Sequence, residues 1–339
     1  MAFWVYVSIA GEDRVDVFAM DAVSGALDKR HEVPLSGTPA GIAADPQRRF
    51  LYIARRGLPE LASFAVNQAD GSLTLLGSIK EESNSVYVTV DGSGRYVLSS
   101  SNNGVARSYR VGDDGALDAS PACLVHLLPG SHSVEVHPSN RFAYVPQCID
   151  QNAIFQFKYD GDTGQITPQD LAVLVPPQRL GPRHIRFHPT LDVMYTTNEQ
   201  DSSVSAYNVG KDGMLSAAFQ TIATKPDDYL EENTTAQLRV HPSGKFLYAP
   251  NRGDDSIACF SIDSGSGELA LIGRVPAETH TRGMDIDPQG KFLFAAGAEN
   301  GKMSAYAIDA NSGELTLLKT YDVGESPMWV LAIELMAHG

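Results

Sequence analysis

The chain has 339 residues, a formal net charge of -15, 43% hydrophobic and 20% charged residues. That balance suits a globular protein with a large core, while the acidity argues against nucleic acid or an anionic membrane as partner, since both need a basic footprint. Three cysteines (Cys123, Cys148, Cys259) stand far apart and in no CxxC pattern, which points to a reducing compartment, the cytoplasm, and to no zinc or other metal site.

In chain order, the N-terminal MAFWVYVSIAG is apolar but short and lacks a basic flank. It reads as a strand, not a signal peptide. No apolar run approaches the roughly 18 residues that cross a membrane. From there a Gly-x-Leu/Ile turn preceded by Asp, Ser or Thr recurs at Gly25, Gly71, Gly115, Gly164, Gly213, Gly267 and Gly313, 44 to 54 residues apart. Each follows an alternating apolar run such as Val15–Met20, Ser203–Val209 or Met303–Ile308, a hairpin signal. A second turn runs in phase: Asp45-Pro46, Asp91-Gly92, His137-Pro138, His188-Pro189, His241-Pro242 and Asp287-Pro288.

Each period therefore holds four short strands and almost no helix, the signature of a β-propeller. Six units are complete between about Gly41 and Tyr321. The leftovers pair across the termini: Met328–Leu335 matches a first strand, and Phe3–Ile9, Arg14–Met20 and Leu27–Val33 match the other three. The expected fold is all-β, a seven-bladed propeller forming one domain over residues 1–339, with one blade closed by both termini so that no sheet edge is left open. Leu174–Gly181 and Thr224–Thr234 depart most from the period and read as loop insertions on one face.

In a propeller the first strand of each blade lines the central channel, and the second strand returns to the same face. Residues just before first strands and just after second strands should form a ring at one channel mouth. In this chain that ring contains His132, Arg183, Glu199, Arg252, Arg282 and Arg56, with Gln237 and Trp329 at equivalent positions. Several arginines at one mouth of so acidic a chain suggest an anionic ligand held by bidentate contacts. A histidine and a glutamate among them could serve as general acid and base. His137, His188 and His241 occupy one turn in three blades at the far face and read as turn caps. His184 is expected in sheet packing. Trp329 reads equally as pocket wall or core. No nucleophile elbow, HExxH, GxGxxG or P-loop pattern occurs.

The segments SHSVEVHP (Ser131–Pro138), GPRHIRFHP (Gly181–Pro189), TNEQDSSVSAY (Thr197–Tyr207), HPSGKFLYAPNRG (His241–Gly253), TRGMDIDPQGKFLFAAG (Thr281–Gly297) and SPMWV (Ser326–Val330) resemble the seven-bladed β-propeller lactonases. That family includes propeller-type 6-phosphogluconolactonases and carboxymuconate lactonising enzymes, and the resemblance spans essentially the whole chain. It implies that His132, Arg183, Glu199 and Arg252 are catalytic and, beyond these, adds Arg282 and Arg56 as substrate-binding. Departures at Gln237, Arg239, Ser101-Asn102 and Gln147-Cys148 alter the pocket walls and bear on the substrate more than on the reaction class.

The expected activity is cofactor-independent hydrolysis of a small anionic sugar lactone, 6-phosphogluconolactone foremost. Glu199 or His132 would activate water, while Arg183 and Arg252 would stabilise the oxyanion. The alternatives are a carboxymuconate-type cycloisomerase, a hydrolase of non-phosphorylated aldono- or aldarolactones and, last, a non-enzymatic binding scaffold. The expected assembly is a monomer or weak homo-oligomer.

Overall fold

The computed structural model describes residues 2–148 and 151–336. They form seven antiparallel sheets, each the blade of a propeller. The inner strands, in chain order, are Pro39–Ala44, Tyr87–Val90, Glu135–Val136, Pro182–Phe187, the interrupted pair Thr234–Thr235 and Arg239–Val240, Thr281–Ile286 and Pro327–Leu335. We number the first six blades in that order. The seventh is the closing blade: Pro327–Leu335 pairs with Ala2–Ile9, which pairs with Arg14–Met20 and then Leu27–Pro34. The expected closure through both termini is what the register shows, with Val5 opposite Ala332. Among the described residues the only helical element is the 3-10 turn Ala10–Glu12.

Burial explains the strand sequences. The second strands Tyr96–Ser101, Phe142–Gln147, Val193–Asn198, Phe246–Arg252 and Phe292–Gly297 are buried at every position. Each is covered on both faces by neighbouring blades, so apolar and small residues run on without alternation. The outermost strands, such as Leu315–Asp322, are mostly exposed.

The repeated glycine turns are the clasps between blades. Tyr6, Tyr52, Tyr144, Tyr195 and Tyr248 donate their hydroxyls to the carbonyls of Gly71, Gly115, Gly213, Gly267 and Gly313, at 2.6–3.1 Å. In every case the tyrosine belongs to one blade and the glycine to the next. Gly164 is clasped by Ser108 Oγ instead, at 2.6 Å. Tyr144→Phe leaves the Gly213 carbonyl without its buried donor, and should lower stability by about 1–3 kcal/mol. A urea titration would show this as a lower midpoint at unchanged slope.

The in-phase turns lie at the same face as the glycine turns, and the two are hydrogen-bonded, as in Val66 N to the Arg49 carbonyl at 2.8 Å. Asp45, Asp91 and Asp287 accept backbone N–H bonds from Phe50, Tyr96 and Phe292. His188 and His241 do related work: their Nδ1 atoms cap the turn, and their Nε2 atoms meet the carbonyls of Gly244 and Gly290 at 2.9 and 2.8 Å. His137 Nδ1 accepts from Ser139 N at 3.1 Å. All three are turn residues, as their spacing indicates.

Candidate active site

At the mouth opposite these turns, inner strands begin and second strands end. Arg183 lies at the start of Pro182–Phe187 and Arg282 at the start of Thr281–Ile286. Both occupy bulges: Pro182 pairs with Asn198 and His184 with Thr197, skipping Arg183, while Thr281 and Gly283 pair with Gly297 and Ala296, skipping Arg282. An extra residue in a bulge is released from the ladder and its side chain is re-aimed. Gly283 is required beside the second bulge, because a Cβ there would lie 2.8 Å from the Trp329 Cα.

Arg56, His132, Arg183, His184, Gln237, Arg282 and Trp329 line one cavity, with Ala40, Val86 and Met328 completing the wall. The space between these side chains is narrow as they stand. Glu199 and Arg252 stand behind this wall. Arg252 Nη2 donates to Glu199 Oε1, and Arg183 Nε lies 3.2 Å from the same oxygen. Arg252 Nη2 also reaches the Thr235 carbonyl at 3.2 Å. All eight side chains expected at the mouth are thus brought together, six on the cavity wall and two joined to it through Arg183.

The electrostatics are lopsided. Four guanidiniums share one carboxylate, and Arg56 and Arg282 have no carboxylate within ion-pairing distance among the described residues. Burial presses Arg56 below the ordinary arginine value, with Glu199 acting against the shift. Arg282 is pressed down by burial and then by Arg183, Arg56 and Arg252. Burial alone would raise Glu199, but Arg183 and Arg252 outweigh it and hold the carboxyl at about 2. His132 lies well below 6.5, through burial first and then the surrounding arginines, and is therefore neutral at physiological pH. Cys148, next to Glu199, has its thiol pushed up to about 12 by burial and by that carboxylate, so it is not a nucleophile. Arg183 Nη1, Arg252 Nε and the Nδ1 atoms of His132 and His184 are buried without hydrogen-bond partners.

The profile of the family described as "Lactonase, 7-bladed beta-propeller" matches residues 10–332. The chain belongs to the seven-bladed β-propeller lactonase family. Among its relatives, the 6-phosphogluconolactonase of Yersinia enterocolitica is 31% identical over 96% of this chain and 97% of its own length. That of Yersinia pestis is 30% identical over 96% of each. The periplasmic gluconolactonase of Pseudomonas aeruginosa superposes with a TM-score of 0.90 at 21% identity, covering 99% and 100% of the two chains. A protein from Lactobacillus plantarum gives 0.87 at 23% identity, covering 98% and 100%. At such identities these two structures show a shared fold only.

Two features of this propeller lactonase go beyond the sequence reading. His184 was expected in sheet packing, but it lines the cavity. Its ring lies 4.9 Å from that of His132, 5.4 Å from Tyr87 and 6.0 Å from Trp329. The bulge at Arg183 is the reason: it breaks strand alternation, so Arg183 and His184 both reach the site. Trp329 is both wall and core, 6% exposed and edge-on to Tyr87 at 5.5 Å. Gln237 also ties blades together, its Oε1 accepting from Met284 N at 3.2 Å.

Among the described residues no group of three or more His, Cys, Asp or Glu side chains is arranged to hold a metal ion. No helix among them is long and apolar enough to cross a membrane.

Proposed function

We propose that the cavity binds an anionic sugar lactone, foremost 6-phosphogluconolactone, and hydrolyses it. One observation carries this reading: two buried and two half-buried guanidiniums around a single carboxylate at one cavity. Two of those guanidiniums already have Glu199. Arg56 and Arg282 are left to take the ligand's phosphate, and planar bidentate donors suit a phosphate. The names of the Yersinia relatives support the phosphorylated substrate.

His132 is the base. It is neutral and free to accept a proton, whereas a carboxylate held at about 2 by two arginines accepts one poorly. As a water oxygen bonds to the lactone carbonyl carbon, its proton passes to His132, and the carbonyl π electrons move onto the oxygen. Arg183 stabilises that oxyanion, and the Glu199–Arg252 pair holds Arg183 in place. The intermediate then re-forms the carbonyl and breaks the bond to the ring oxygen, which takes the proton back from His132. The product is the open hydroxy acid, which ionises in solution. The three free cysteines support a reducing compartment such as the cytoplasm for this reaction.

The test is a pH-indicator assay of phosphorylated and non-phosphorylated aldonolactones and aldarolactones, with and without a chelator. The expected result is fastest turnover of the phosphorylated δ-lactone, unchanged by the chelator. Diene loss on muconates without lactone hydrolysis would contradict it. Because the His132 value is depressed, the acid limb of kcat should lie below pH 6.5, so activity persists at pH 6. A limb at or above pH 7 would remove His132 from the role of base.

A further inference from the structure

We infer that His184 is the positioning residue for His132, the two forming a hydrogen-bonded pair in which His132 Nδ1–H donates to His184 Nδ1. The inference rests on the reading above, in which His132 is the base.

The two rings are nearest neighbours in the cavity wall, with centroids 4.9 Å apart and planes at 54°. At that separation two imidazole edges turned towards each other come within hydrogen-bond reach. Both residues are buried, at 8% and 1% exposure, and both Nδ1 atoms lack a partner. A neutral imidazole carries one donor and one acceptor nitrogen, and a buried polar atom left unpaired is costly. A single bond between the rings satisfies both atoms at once. It needs only a turn about χ2, a broad and soft torsion for histidine.

The direction of the bond follows from the surroundings. His132 lines the cavity while its Nδ1 is sealed, which leaves Nε2 for a reactant. The charged neighbours of the ring are Arg56, Arg183 and Arg282 on the wall and Arg252 behind it. Guanidiniums only donate, so they favour a lone pair on Nε2 and the proton on Nδ1. His184 has Arg183, Arg186 and Arg239 around it and also stays neutral, ready to accept.

His184 is well held for such a role. Its backbone N–H donates to Thr197 Oγ1 at 3.2 Å. Its ring rests against the edge of Tyr87, whose hydroxyl is bound to Glu135 and accepts from Arg186 Nη1 at 2.9 Å. These contacts fix the ring from the far side of the channel. When His132 takes the water proton, the pair steadies the imidazolium and keeps Nε2 aimed at the reactant, as an orienting partner does in a nucleophile–base–orienter chain.

Two variants and one spectrum test this. Asparagine can place an acceptor oxygen where Nδ1 was, and phenylalanine cannot. His184→Phe should lower kcat between about tenfold and a hundredfold, a share of the roughly 10²–10⁴ that general-base catalysis supplies. KM should stay within about twofold, and the acid limb should move to still lower pH, since the protonated base loses its acceptor. His184→Asn should recover most of kcat. In ¹⁵N spectra of histidine-labelled wild type, assigned with His132→Ala, His132 should carry its proton on Nδ1. An Nε2-protonated His132, or a folded His184→Asn as slow as His184→Phe, overturns the pair. The spectrum decides the pair even if no lactone were hydrolysed, an outcome that would count against the proposed reaction alone.

Discussion

Replacing Arg183 by methionine should lower kcat/KM by about 10²–10³, the range seen when one oxyanion donor is removed, without lowering the melting temperature. The two halves of this expectation have one cause. Arg183 is 1% exposed, and burial presses its value down to about 10 against the pull of Glu199, with Arg252 and Arg56 adding repulsion. Its positive charge is therefore held at the expense of the fold. Methionine keeps much of the volume and leaves Glu199 still paired with Arg252. Steady-state kinetics alongside a thermal melt would check it. A variant that keeps kcat but melts several degrees lower would assign Arg183 a structural role instead.

The opposite pattern is expected of Glu199→Gln. This carboxylate is the sole counter-ion of Arg183 and Arg252 among the described residues. Removing one partner of a buried ion pair costs about 3–5 kcal/mol, because the remaining charge is left uncompensated. Here two arginines are left with weaker partners, so denaturation should show a loss near the lower end of that range. Inorganic phosphate should restore more stability to the variant than to wild type, since an anion that binds only the folded state stabilises by mass action. The pH dependence has a definite sign. Glu199 falls from an ordinary 4.5 to about 2 in the fold. Its contribution is present above pH 4.5 and is lost as pH drops towards 2, so the stability curves of variant and wild type should converge over that window. A gap that persists unchanged to pH 2 would contradict the ion-pair account.

The ring of blades was legible because its signals are local and repeated. The Gly-x-Leu/Ile turns and the in-phase His-Pro, Asp-Pro and Asp-Gly turns each mark a strand boundary, and counting them places the closing blade at the two termini. The reason for the glycine repeat was not legible. The tyrosine that clasps each of five of these glycines lies 63–72 residues earlier in the chain, as with Tyr52 and Gly115 or Tyr195 and Gly267. The ring of arginines was legible for the same reason as the fold: strand ends share a face once the blade order is known. His184 was not, because alternation turns it away from Arg183, and only the bulge between Pro182 and Thr197 brings both to the cavity. Nor did the sequence distinguish Glu199 as base from Glu199 as counter-ion. That depends on Arg183 and Arg252 reaching the same oxygen, a contact between strand ends of two neighbouring blades that no spacing encodes.

The division of labour among the arginines leads to the most direct measurement. If Arg56 and Arg282 hold the ligand's phosphate, the ratio of kcat/KM for 6-phosphogluconolactone over gluconolactone measures their contribution. Charge-assisted bonds of roughly 1.5–3 kcal/mol each predict a ratio above about 10² in the wild type. In Arg56→Met/Arg282→Met the ratio should collapse to within about tenfold of unity, with kcat for the unphosphorylated lactone little changed. An equal ratio in both proteins, or a wild type that turns over the two lactones equally well, would contradict the assignment of this arginine-lined mouth to a phosphorylated lactone.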